Sequence, residues 1–258
     1  MDLRFDTTLI KGYKSASQQA RIMTEEWLAR NMYCPICGAE SIQKAESNAP
    51  VKDYVCKSCR AQYELKSKKS TTARFKSSVV DGVYRTMIER ISSLENPSFF
   101  FMHYDRYEVN NLIIVPKCFF IPDIIQKRTQ LKSTAARAGW EGCNILLGLV
   151  PDTAKIPIVR NGHVLPTEDV CKKYNQIYAL QTKSIESRGW LFDVLQCTER
   201  LGATFSLNQV YSFVDLLKEK HPRNNNIEAK IRQQLQFLRD KGIIEFLSPG
   251  VYRKTNRS

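Results

Sequence analysis

The stretch Asp53-Tyr54-Val55-Cys56-Lys57-Ser58-Cys59-Arg60-Ala61-Gln62-Tyr63-Glu64-Leu65-Lys66, preceded by Cys34-Pro35-Ile36-Cys37, decides how the chain is read. Each C-x-x-C knuckle turns two sulfurs onto one ion, and two knuckles complete the tetrahedral thiolate shell of a zinc ribbon. Four further cysteines, Cys118, Cys143, Cys171 and Cys197, follow no pairing pattern, so all eight read as reduced thiols rather than a disulfide framework. Cys34, Cys37, Cys56 and Cys59 are the expected zinc ligands. Four thiolates leave no open position for water, which makes the ion structural.

The same stretch carries carboxylates. Tyr63 to Lys66 alternates as a strand does, with Glu64 and Lys66 on one side and Leu65 on the other, expected toward a core. Asp53 lies in a second strand-like run, Val51 to Val55, and two neighbouring strands would set both carboxylates side by side. Such oxygen ligands suit a hard divalent cation such as magnesium, completed by water and a phosphate. Lys66 could then position an attacking water and offset the charge that builds on the phosphate. The spacing is equally compatible with solvated charges at the ends of a ribbon hairpin, with Lys66, Lys68 and Lys69 a solvated basic run.

With 258 residues the chain can bury a sizeable core and hold two domains. It has no apolar run long enough to span a membrane, and Met1-Asp2-Leu3-Arg4 does not open a signal peptide, so a soluble, cytoplasmic protein without a membrane partner is expected. The net charge of +13, from 39 Lys and Arg against 26 Asp and Glu, points to a polyanionic partner, by default nucleic acid. Both halves are basic, with 26 basic against 18 acidic residues up to position 182 and 13 against 8 beyond it. A long Lys/Arg tail and a basic amphipathic anchor are missing, which argues against a ribosomal or membrane-surface protein.

The periodicity predicts a first helix over residues 15–31, a second over Asp81–Ser92 with Val83, Met87 and Ile91 in step, and apolar strands at Ser98–Met102 and Asn110–Val115. Strands interleaved with helices make this part mixed α/β. Between Gln126 and Gly142, Lys127, Arg128, Lys132, Ser133, Thr134 and Arg137 compose a phosphate-contacting loop. Trp140, between Gly139 and Gly142, reads as a wedge at a base step or as an ordinary core tryptophan.

Thr182 to Gly189 is the expected linker, dividing the chain into domains 1–182 and 183–258. Beyond it come a helix over Trp190–Leu201, a capping box at Ser206-Leu207-Asn208-Gln209, and a third helix opening at Asn225 and ending at Lys241-Gly242. A hairpin over residues 243–254 completes a winged helix, whose third helix usually enters the major groove. Asn226, Lys230, Arg232, Gln233 and Gln236 stand off its apolar face as candidate DNA contacts, against the plainer reading of a polar helix face or a protein-contacting one.

Taken together, Cys34-Pro35-Ile36-Cys37, Asp53 three residues before the second knuckle, Glu64 to Lys69, the run Thr134 to Asn144, Ser187-Arg188-Gly189-Trp190 and Ile231 to Lys241 closely resemble the DpnI-type methyl-directed type II restriction endonucleases, nearly end to end. The resemblance implies a PD-(D/E)xK nuclease domain with an embedded zinc site, followed by a winged helix-turn-helix domain. It implies cleavage of double-stranded DNA at adenine-methylated GATC with blunt ends; the protein itself is expected to be a monomer, and the sequence leaves open whether one monomer cuts the strands in turn or a transient dimer does. Asp53, Glu64 and the carbonyl of Leu65 would hold magnesium and Lys66 would orient the water. Glu25 matches a carboxylate that many such nucleases place near the metal. Lys132, Ser133, Thr134, Arg137 and Trp140 would lie at the DNA in the first domain, and Asn226, Lys230, Arg232 and Gln233 in the second. The chain departs from the pattern at Ala136, where the family carries a basic residue, in the less basic wing turn Ser248-Pro249-Gly250-Val251, and in a longer Ser70–Ser78 segment. The competing functions are a zinc-ribbon, winged-helix transcription regulator without nuclease activity, and a nuclease with another DNA preference.

Overall fold

The computed structural model describes residues 1–45, 53–72, 74–93, 96–182 and 184–255. The chain divides into two compact units, Met1–Leu149 with Lys155–Asn175, and Val150–Ala154 with Gln176–Ser258.

In chain order the first part of the sequence forms α1 (Ala16–Asn31), β1 (Gln43–Lys44), β2 (Tyr54–Val55), β3 (Gln62–Lys69), β4 (Val79–Val83), α2 (Tyr84–Ser92), β5 (Ser98–Asp105), β6 (Glu108–Val115), β7 (Ile125–Lys127), β8 (Gly142–Ile145), β9 (Ile156–Arg160), β10 (His163–Val164) and α3 (Thr167–Tyr178). A seven-stranded mixed sheet runs β1-β2-β3-β5-β6-β9-β10, and a three-stranded antiparallel sheet runs β4-β8-β7. Among the described residues only β3 and β5 pair in parallel, with Glu64 opposite Phe99 and Lys66 opposite Phe101. Parallel neighbours need a long crossover. The chain uses that crossover, between β3 and β5, to build β4 and α2.

The run Ser98-Phe99-Phe100-Phe101-Met102 is buried on both faces, as a central strand covered on two sides must be. Phe99 packs on Phe120 in a tilted arrangement with ring centres 4.1 Å apart, and Phe100 meets Tyr63 at 5.3 Å. On one side of β3, α1 packs with Thr24 Oγ1 3.1 Å from Ser67 Oγ, and Trp27 donates to the Asp2 carbonyl at 2.7 Å.

Three expectations are corrected in this unit. The helix expected from Asp81 begins at Tyr84, because Val79–Val83 pair with β8, Asp81 standing opposite Cys143. Val83 consequently is exposed, while Met87 and Ile91 are buried. Leu65, expected toward a core, is half-buried, and Glu64 is the deeply buried side chain at 8 % exposure. Of the strand expected over Val51–Val55, residues 51 and 52 lie outside the described residues.

The second unit carries α4 (Ile185–Glu199), β11 (Thr204–Ser206), α5 (Leu207–Tyr211), α6 (Val214–Lys220), α7 (Ile227–Asp240), β12 (Ile244–Ser248) and β13 (Val251–Lys254), with the sheet order β11-β13-β12. Helices followed by a hairpin whose inner strand pairs with β11 form a winged helix-turn-helix. The capping box at Ser206 is formed in both directions, with Ser206 accepting from the Gln209 amide and Gln209 accepting from the Ser206 amide. Gly242 takes φ +69° after α7, the left-handed residue that ends a helix. The box expected at Asn225 does not form: α7 starts at Ile227 behind Asn226, whose side chain makes no cap bond, and Asn224 Oδ1 accepts from the Asn226 amide at 2.8 Å instead. The expected linker is helical from Ile185, since Ser184 caps α4 by accepting from the Ser187 amide. No helix among the described residues is long and apolar enough to cross a membrane.

Candidate active site and metal centre

The two knuckles repeat one backbone pattern. Gly38 donates to the Cys34 carbonyl at 2.9 Å and Cys34 to the Ala39 carbonyl at 2.8 Å, and in the second knuckle Arg60 donates to Cys56 at 2.8 Å and Cys56 to Ala61 at 2.9 Å. The residue after each knuckle is left-handed, Gly38 at φ +72° and Arg60 at φ +60°. This turn gathers the Sγ atoms of Cys34, Cys37, Cys56 and Cys59 within 4.8 Å of one another, with Cys34 to Cys59 at 3.5 Å and Cys37 to Cys56 at 3.6 Å. Zinc–sulfur bonds of about 2.3 Å in a tetrahedron set the sulfurs about 3.8 Å apart. The cluster therefore fits zinc, and all four cysteines are free of disulfides. Burial raises the Cys56 thiol, but the amides of Cys59 and Ser58 and the sulfurs of Cys34 and Cys37 outweigh it and bring it down to about 7. Such a thiol gives up its proton readily to a metal.

The carboxylates come next along the chain. Asp53 accepts from the Leu65 amide at 2.9 Å, and its own amide donates to the Tyr63 carbonyl, so the antiparallel pairing of β2 with β3 holds Asp53 against Leu65. Glu64 and Lys66, two apart on β3, share one side of the strand, with Lys66 Nζ 2.5 Å from Glu64 Oε1. Lys66 Nζ also bonds Asp81 Oδ1 on β4. Asp81 belongs to neither motif in the sequence. The small sheet brings it in, which explains why the Glu64 side of β3 is the covered one.

One ammonium thus faces Glu64 and Asp81, with Asp53 close enough to act on Glu64 through space. Burial pushes the Glu64 carboxyl up to about 7, against the pull of Lys66 and with the push of Asp81 and Asp53. Burial likewise raises Asp53, opposed by the Leu65 amide and Lys66 and aided by Glu25. Lys66 is raised: burial works to lower it, and Glu64 and Asp81 prevail. Glu64 Oε2 and Asp81 Oδ2 are buried without a hydrogen-bond partner among the described residues. A surplus of negative charge with bare buried oxygens is the electrostatic condition that a hard cation relieves. Glu25, half-buried on α1, is held by Arg21 at 2.6 Å. Lys66 also lines a pocket of about 170 Å³ with Lys68, Phe75, Lys76 and His103. Lys76 beside it holds the exposed Lys68 below the ordinary lysine range.

The loop expected to meet DNA joins β7 to β8. Lys132, Ser133, Thr134 and Arg137 are exposed on it. Trp140 is half-buried, its ring lying over Gly142 so closely that a Cβ there would meet Cη2 at 2.5 Å. The base of the loop is fastened by Lys127 to Glu141 at 2.9 Å and by the Tyr84 amide to the Glu141 carbonyl at 3.0 Å.

In the second unit Asn226 and Gln233 are exposed, Arg232 bonds the Tyr211 hydroxyl, and Lys230 is half-buried with Nζ 6.0 Å from the Trp190 ring centre. An open groove of about 440 Å³ runs by the start of α7, lined by Lys218, Asn224, Asn225, Asn226 and Arg232. It offers amide and cationic groups, the chemistry that reads base edges and phosphates.

Comparison with known families gives two matches. A sequence model described as DpnI, Dam-replacing family, matches residues 1–183, and one described as DpnI_C, Dam-replacing HTH domain, matches residues 186–254.

Proposed function

The chain belongs to the Dam-replacing family, and from that premise we propose that it is a methyl-directed restriction endonuclease, hydrolysing both strands of adenine-methylated GATC with magnesium and leaving blunt ends. The observation that carries the reading is Glu64: a carboxylate 8 % exposed, with one oxygen bound to Lys66 and the other buried with no hydrogen-bond partner among the described residues, beside Asp53. A regulator has no use for this costly arrangement.

The donors are oxygens on one short stretch of chain, and they fit magnesium. Asp53, Glu64 and the Leu65 carbonyl would hold the ion, which when bound polarises the scissile phosphate and lowers the pKa of the attacking water. Lys66 orients that water by hydrogen bonding and offsets the charge gathering on the phosphate. Lys68 and Lys76 carry the positive field along the adjoining pocket. The four cysteines hold a structural zinc.

Residues 1–182 act as the PD-(D/E)xK nuclease domain and residues 183–258 as a second reader, in a monomer. A buried methyl contributes under about 1 kcal/mol, too little for strong discrimination by one contact. Two methyls per site read by two domains multiply the effect. Lys132, Ser133, Thr134, Arg137 and Trp140 serve the first reader, and Asn226, Lys230, Arg232 and Gln233 the second.

Asp53→Ala and Glu64→Ala test the site. Both variants are expected to stop cutting and to keep binding methylated duplex in a gel-shift assay. Cutting by either at the wild-type rate contradicts the assignment.

A further inference from the structure

We propose that Asp81 is a positioning residue for Lys66, holding its ammonium at the cleavage site once Glu64 is engaged by the divalent cation. The inference rests on the nuclease reading above and adds a residue outside its motif.

Lys66 Nζ has two carboxylate partners, Glu64 Oε1 and Asp81 Oδ1. Only Glu64 belongs to the expected metal set. A cation drawing on Glu64 weakens that bond, and the lysine also borders an open pocket into which its flexible stem can swing. Asp81 cannot follow it. Its side chain is 9 % exposed, its backbone is paired opposite Cys143 beside the irregularity between Asp81 and Val83, and the Gly82 amide donates to Oδ1 at 2.7 Å. Asp81 is therefore the fixed partner and Glu64 the shared one.

Placement on β4 has a second effect. β4 pairs with β8, the strand that leaves the loop carrying Trp140. Through Asp81, the sheet presenting that loop is joined to the lysine of β3, so displacement of the loop is felt at Nζ.

The test is steady-state cleavage of methylated duplex by Asp81→Asn at saturating magnesium, with the magnesium titration recorded alongside. A lysine misplaced by about 1 Å costs about 100-fold in rate. We expect kcat to fall about that far, KM for DNA to stay within about twofold, and the half-saturating magnesium concentration to be unchanged. In a Lys66→Ala background the same substitution adds no further loss, because both act through one group. Asp81→Glu, which can still reach Nζ, recovers part of the rate and covers the case in which Asp81→Asn melts early. Cutting at the wild-type rate, a large rise in half-saturating magnesium with full rate at high metal, or an equal further loss on Lys66→Ala each overturns the proposal; the second would make Asp81 a ligand. Wild-type protein that cuts nothing overturns the nuclease reading instead.

Discussion

The Tyr63 hydroxyl lies 3.0 Å from Cys34 Sγ, so the residue directly before Glu64 is tied to the cysteine cluster. Tyr63 is fully buried, and its ring packs on Phe100 of the neighbouring strand. Through Tyr63, the strand that carries Glu64 and Lys66 is tied to the cysteine cluster.

Removal of that hydroxyl by Tyr63→Phe keeps the ring and loses the bond to sulfur. Outer-shell partners of this kind alter metal affinity by about 10-fold or more. Tyr63→Phe is expected to release zinc to a chromogenic chelator at correspondingly lower chelator concentration, from one zinc per chain, with cleavage lost in step as zinc departs. Unchanged zinc retention contradicts a link between the centres.

Gly142 leaves room for Trp140. An added Cβ would meet the ring at 2.5 Å and 2.8 Å, so Gly142→Ala forces the indole off its seat. Trp27 and Trp190 are each 1 % exposed and Trp140 is half-buried, so a red shift in emission reports on Trp140. The variant is expected to show that shift together with weakened binding of methylated duplex. Emission and affinity both at wild-type values contradict the placement.

In the second unit Asp193, 2 % exposed, binds Lys220 and His221, and His221 stacks on Trp190 with ring centres 3.8 Å apart. Asp193→Ala strips two groups of their buried partner. It is expected to cost about 3 kcal/mol, read as lost hydrogen-exchange protection across α4 and α7. Lys220→Ala, whose side chain is 36 % exposed, costs under about 1 kcal/mol. The reverse ranking contradicts this account of the network.

What was legible in the sequence follows a physical line. Cysteine knuckles, the E-x-K alternation, the Ser206 capping box and the Gly242 terminus are set by residues a few positions apart, and all of these local features formed. The helical spacing of Val83, Met87 and Ile91 predicts Asp81 at the start of a helix. Pairing with β8, where Asp81 stands opposite Cys143, overrides that local pattern. The β-branched pair Val79-Val80 followed by Gly82 was the available signal for a strand with an irregularity. The same long-range pairing explains why Glu64 is more deeply buried than Leu65, which strand alternation by itself does not decide.

The central claim is tested most directly by incubating one GATC-containing duplex, adenine-methylated and unmethylated in parallel, with the purified protein and magnesium, and mapping the ends. The account predicts blunt cutting within GATC in the methylated duplex alone. Cutting of both duplexes, or of neither, contradicts it.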